Sequence, residues 1–262
     1  MTTTAPLGPL VLAGSGEYTP TMNIVDSWVL EHKADGPVLL LATSCAQEGE
    51  DVMTKWEQMG VAHFKKLGVD AVPLRICDTE DANLQENADI IANAGFVWFS
   101  GGSPVYLSQS LEDTLAFWVL EAANRRGVAV AGSSGGLGVM NVHMPLQQGP
   151  VPGLPSASTW VPRPAGSTGL GLASPIRAMA HFDRAEVRRP EMIERTVAGL
   201  QPGQHAVGVD EDTALVWTGE EWRAMGHKRV VVYSPTLERT IFHNGDLVDI
   251  LPPPIRSQAN ET

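Results

Sequence analysis

The sequence predicts one α/β domain: a mostly parallel central sheet flanked by helices, with antiparallel strands towards the C-terminal end. Three observations predict it. Short apolar runs are unbroken rather than alternating, the pattern of strands buried on both faces. The segments between them carry apolar residues at helical spacing, and strands alternating with helices make a parallel sheet with right-handed crossovers. The last third has strands separated only by short turns, which is the signature of antiparallel pairing.

The first strand is expected at Pro9 to Ala13, running into Gly14-Ser15-Gly16-Glu17. Pro37 to Thr43, Val69 to Leu74, Gly95 to Ser100 and Val128 to Gly132 supply four more. Asp51 to Leu67 places Val52, Trp56, Met59 and Phe64 about a turn apart, and Val105 to Arg126 does the same with Leu107, Leu111, Leu115, Trp118 and Val119. A sixth strand, Ile176 to Ala180, ends at His181. Ala206 to Trp217, Arg229 to Tyr233 and Arg239 to His243 read as antiparallel additions at one edge of the sheet. Gly149 to Pro175 is rich in Gly, Pro and Ser and reads as a long loop. Residues 1–251 are expected to form the domain and 252–262 a frayed tail.

Composition bounds the function. The chain has 262 residues, 30 carboxylates against 18 Lys and Arg, and a formal net charge of −12. Such a surface repels phosphates, which argues against nucleic acid or an anionic membrane as partner. No run reaches the ~20 apolar residues of a membrane span. The first ten residues lack the basic and apolar regions of a signal peptide, and two cysteines, Cys45 and Cys77, fit a reducing cytoplasm. The His residues are scattered and the Cys far apart, so no metal site is expected.

The chemistry concentrates at Gly132-Ser133-Ser134-Gly135-Gly136, a G-x-S-x-G placed between a strand and the small-residue helix Leu137 to Val142. Such an elbow needs small flanking residues and holds its Ser above the sheet edge. The next N–H, that of Gly135, then faces the developing oxyanion. A second Gly-rich turn, Ser100-Gly101-Gly102-Ser103, follows the fourth strand. Neighbouring strands of a parallel sheet share one crevice at their C-terminal ends, so Gly101 or Gly102 would supply the other half of the hole. The same turn also reads as a plain helix start, with Ser103 as N-cap and Pro104 at the first helical position. Among seven histidines, His181 is the best candidate base because it ends a strand facing that crevice; His32, His63, His143, His205, His227 and His243 lie in helices or turns elsewhere.

Five pieces in order carry a family resemblance: Gly14-Ser15-Gly16-Glu17, Phe99-Ser100-Gly101-Gly102, the elbow, His181-Phe182 with following arginines, and Gly208-Val209-Asp210-Glu211-Asp212-Thr213-Ala214. Over most of its length the chain resembles the dipeptidase E and cyanophycinase family of serine peptidases, whose fold is similar to class I glutamine amidotransferases. The resemblance implies Ser134 as nucleophile, His181 as base, and the N–H groups near Gly102 and Gly135 as oxyanion donors. It implies a small acidic peptide as substrate, no cofactor, and with the apolar helix faces it makes a homodimer an expectation. Arg184, after the His-Phe pair, would help bind the acidic substrate together with Ser103; Arg188 and Arg189 read as a solvated helix face.

Two features depart from the family pattern. Gly135 stands where the family usually has Ala, which is expected to leave the turn intact but more flexible. The family places an Asp or Glu between the nucleophile and the His, and no acid occurs from Ala122 to Phe182. Gln147, Gln148 or a carboxylate from elsewhere, Glu17 or Asp183, is then expected to orient His181, while Asp210-Glu211-Asp212 is given a structural role at a turn. The missing acid also motivates a second reading, a non-catalytic binding or assembly protein on the same fold. A cysteine-nucleophile amidotransferase is disfavoured, since neither Cys lies in an elbow.

Overall fold

The computed structural model describes residues 7–141 and 169–255. Seven strands form the central sheet. In chain order they are β1 (Leu10–Ala13), β2 (Val38–Leu41), β3 (Ala71–Pro73), β4 (Phe96–Phe99), β5 (Ala129–Ser133), β8 (Thr213–Trp217) and β9 (Trp222–Gly226), arranged β3-β2-β4-β5-β1-β8-β9. The first five run parallel; β8 is antiparallel to its neighbour β1, and β9 is antiparallel to β8. A second sheet, β11-β10-β7-β6, contains β6 (Ile176–Met179), β7 (His205–Val209), β10 (Val230–Tyr233) and β11 (Arg239–Phe242).

The unbroken apolar runs are explained by period-2 alternation between two buried faces. Leu10, Leu12, Leu39, Leu41, Val97 and Phe99 point into one core; Val11, Ala13, Leu40, Phe96 and Trp98 point into the other. Helices α1 (Asn23–His32) and α2 (Glu50–Lys66) close the second core with Val25, Val29 and Phe64. The first core is closed by α3 (Thr79–Ala82), α4 (Gln85–Ala92), α5 (Pro104–Leu111), α6 (Leu115–Asn124) and α7 (Gly135–Met140). The small sheet places Val207, Val209, Val230 and Val232 in that same core, and packs its other face on α8 (Phe182–Arg188) and α9 (Pro190–Ala198).

The edge addition therefore differs from expectation. Only β8 and β9 extend the central sheet, beside β1; the other late strands join β6 in a sheet of their own. Ala206 to Trp217 is two strands, β7 and β8, in different sheets. The chain crosses between them at Asp210-Glu211-Asp212. Asp212 takes a left-handed φ of 57°, and the buried Asp210 carboxylate binds Arg229 Nε at 2.7 Å. The helical pattern from Val105 to Arg126 is likewise two helices, broken where Asp113 turns left-handed at φ 58° and Thr114 caps α6. At the start of the expected tail, the Pro252 carbonyl accepts the Trp222 indole N–H at 2.8 Å. Among the described residues no helix is long and apolar enough to cross a membrane.

Candidate active site

β5 and α7 meet at Ser134, whose φ of 52° and ψ of −108° lie outside the regions a non-glycine residue prefers. Such a conformation costs on the order of 1–3 kcal/mol and persists only where the surroundings impose it. Here they do: the Ser134 N–H donates to the Ala13 carbonyl at 3.1 Å, and a Cβ on Gly132 would collide with the Gly136 carbonyl. Gly135 is a requirement rather than a source of flexibility, because a Cβ there would collide with the Gly102 carbonyl oxygen. The two Gly-rich turns thus touch backbone to backbone. Among the described residues, neither the Gly102 nor the Gly135 N–H has a protein acceptor. The Gly101 N–H is already taken, by Glu17 Oε1 at 3.1 Å.

His181 follows β6 with a left-handed φ of 49°, its N–H bound to the Gly14 carbonyl at 3.1 Å. That tie joins the small sheet to the end of β1 and aims the ring at the elbow. His181 Nε2 lies 2.8 Å from Ser134 Oγ, and His181 Nδ1 lies 2.7 Å from Glu211 Oε1. With Nδ1 as the donor to the carboxylate, Nε2 is left as an acceptor for the serine proton. The second Glu211 oxygen, Oε2, binds Arg184 Nη2 at 2.9 Å. Asp183 Oδ1 accepts the Glu211 N–H at 3.2 Å, and Lys228 Nζ donates to Asp183 Oδ2 at 2.7 Å. Burial pushes the Asp183 carboxyl up, but Lys228 and the backbone N–H groups outweigh it and hold the group below the usual carboxylate range.

The expected orienters need correction. The carboxylate on His181 belongs to Glu211, thirty positions after the His. Glu17 points elsewhere, accepting from the Ser133 hydroxyl at 2.6 Å and from Gly101. Asp183 supports Glu211 rather than the imidazole. Gln147 and Gln148 lie outside the described residues. Nor is the Asp210-Glu211-Asp212 run only a turn: the crossover from β7 to β8 carries Glu211 to the strand end beside His181. The signal that could have found it was in the sequence, an acidic run interrupting an apolar stretch twice the usual strand length. Ser103 caps α5, its Oγ accepting the Tyr106 N–H at 3.2 Å. The Arg184 side chain is 60% exposed and engaged with Glu211. Among the described residues no group of three or more His, Cys, Asp or Glu is arranged to hold a metal ion.

A serine on a strained turn between a parallel strand and a helix, with a histidine at its hydroxyl, is the nucleophile elbow of a serine hydrolase. The family model "Peptidase family S51" matches residues 10–225, and the chain belongs to this family of serine peptidases. Among solved structures it is similar to a peptidase from an acI-B1 Actinobacterium, with 25% identity, a TM-score of 0.78, and coverage of 94% of this chain and 98% of that one. A candidate peptidase E from Listeria monocytogenes EGD-e shares the fold at 18% identity and a TM-score of 0.61, over 85% of this chain and 100% of that one. No curated protein sequence matches the chain.

Proposed function

We propose that the protein is a serine peptidase that hydrolyses an amide bond in small Asp-containing peptides, acting in the cytoplasm. One observation carries the reading: the continuous relay from Ser134 Oγ through His181 to Glu211, at 2.8 and 2.7 Å. In the proposed mechanism Ser134 attacks the scissile carbonyl while His181 Nε2 takes its proton. The tetrahedral oxyanion is held by the N–H groups of Gly102 and Gly135. His181 then returns the proton to the leaving amine, and water repeats the sequence to release the acyl-enzyme. Glu211 fixes the imidazole tautomer and stabilises the imidazolium that forms. The reason for a non-catalytic reading was an interval without acid; Glu211 supplies a carboxylate from outside that interval.

Arg184 supports the substrate side. It spends Nη2 on Glu211, and its remaining N–H groups have no acceptor among the described residues. An exposed guanidinium with free donors, joined to the relay through Glu211, suits a substrate carboxylate. A serine-directed fluorophosphonate probe tests the nucleophile. The wild type should label, and Ser134→Ala should not; equal labelling of the two folded proteins refutes the assignment. Turnover of Asp-containing dipeptides over their Asn counterparts, with the preference reduced in Arg184→Met, tests the substrate class.

A further inference from the structure

Glu17 is a buried carboxylate, 5% exposed, that the proposed mechanism does not use. Its two oxygens reach two different turns. Oε1 accepts the N–H of Gly101, in the turn after β4, and Oε2 accepts the hydroxyl of Ser133, the residue before the proposed nucleophile. These turns carry the two N–H groups assigned to the oxyanion hole: Gly102 lies one residue beyond Gly101, and Gly135 two residues beyond Ser133. Gly101 packs directly on the nucleophile: a Cβ there would lie 3.2 Å from the Ser134 Cβ. The next peptide, which carries the Gly102 N–H, is fastened too. The Gly101 carbonyl accepts from Ser44 Oγ at 2.7 Å and from Cys45 Sγ at 3.0 Å, and the Ser103 N–H donates to the Ser44 carbonyl at 2.9 Å.

We propose that Glu17 is a positioning residue that clamps the two halves of the oxyanion hole in register; the proposal rests on the serine-peptidase reading above. Consuming the Gly101 N–H fixes the peptide that enters Gly101, and the Ser44 and Cys45 bonds to the Gly101 carbonyl fix the next peptide, the one that presents the Gly102 N–H. Holding Ser133 fixes the start of the elbow. Oxyanion donors act through preorganisation, and a displacement of about 1 Å costs about 10²-fold in rate. The clamp works by geometry rather than by charge. A glutamine can reproduce it, its amide oxygen accepting from Gly101 and its NH₂ donating to Ser133 Oγ.

The test reads the second-order rate of fluorophosphonate labelling, which needs no knowledge of the substrate and places a phosphoryl oxygen in the hole. Glu17→Ala should label about 10²-fold more slowly than wild type, Glu17→Gln within about 3-fold of it, and Ser133→Ala between them. On a turned-over dipeptide the loss should fall on kcat with KM little changed, a split that general loosening of the fold does not produce. Glu17→Ala at the wild-type rate overturns the clamp, and so does Glu17→Gln as slow as Glu17→Ala, which would make the charge the active property. Where Glu17→Ala does not fold, Ser133→Ala decides: an unchanged rate overturns the clamp. Failure of the underlying reading looks different, since the wild type itself would then not label.

Discussion

The two walls of the crevice are made of different materials. The wall that carries Ser134 is backbone, glycine and small hydroxyls: Ser44, Ser100 and Ser133 are all buried, and the two Gly-rich turns meet with no room for a Cβ. The wall that carries His181 is a chain of charges in partial contact with water. Its side chains are 39% exposed at His181, 15% at Glu211, 60% at Arg184 and 38% at Lys228. Buried hydrogen bonds hold one geometry, because breaking any of them strands a polar group. Exposed ion pairs are screened and individually weak. The difference teaches where each kind of damage should appear. The charged wall has one contact that cannot be replaced, His181 to Glu211, surrounded by contacts that can; the backbone wall depends on fit throughout and tolerates only substitutions that keep its shape.

The most severe break of that contrast is at the irreplaceable contact. Glu211→Gln keeps the shape and one hydrogen bond but no longer stabilises the imidazolium and admits the wrong tautomer. The kcat should fall by about 10⁴, with KM and Tm close to wild type. A loss below tenfold would remove Glu211 from the relay and return the second wall to a purely structural role.

Gly135→Ala probes the backbone wall. The added Cβ meets the Gly102 carbonyl, so the two turns must separate. The expected loss in kcat is about 10², comparable to removing one oxyanion donor. Tm should fall as well, since overpacking costs about 1–3 kcal/mol. An Ala variant with wild-type labelling kinetics would show that the turns tolerate separation and that their contact does not set the hole.

The same contrast explains what was legible in the sequence. The backbone wall is local: a strand, a G-x-S-x-G and a helix are consecutive, so Ser134, Gly135 and the Gly-rich turn after β4 stand out from spacing alone. His181 was legible because it ends an apolar run. The parallel order of strands followed from unbroken runs such as Val38–Leu41, which both cores require. The partners of His181 are not local. Glu211 arrives only because the chain leaves one sheet at Val209 and enters another at Thr213, and the continuous apolar pattern on either side hides that change. Glu17 looked like an orienter because proximity to the crevice is legible, whereas the direction of its carboxylate depends on Ser133 and Gly101, 116 and 84 positions away. The strand Trp222–Gly226 was missed because Arg223 and a bounding Glu-rich turn mask its alternation.

The smallest effect belongs to the replaceable charges, and its sign follows from Asp183. This carboxyl is held below its ordinary range. Burial opposes ionisation, and Lys228, together with the Glu211 and Arg184 N–H groups, more than offsets it. A depressed carboxyl contributes stability that is fully present above its unfolded value of about 3.9 and is lost as pH falls through the folded value. Lys228 is raised by the same pair, so its share is present below about 10.4, its unfolded value, and lost above the folded one. Lys228→Met removes both. Its Tm should lie a few degrees below wild type across the plateau from about pH 5 to 9, and the two curves should converge as Asp183 protonates below about pH 4. In an Asp183→Asn background the same substitution should show a smaller acid convergence, because only the longer contact to Asp212, at 3.7 Å, is left to titrate. A Tm gap that stays constant down to pH 2 would mean that the Lys228 stem contributes by packing alone, and the charged wall would then resemble the backbone wall more than its exposure suggests.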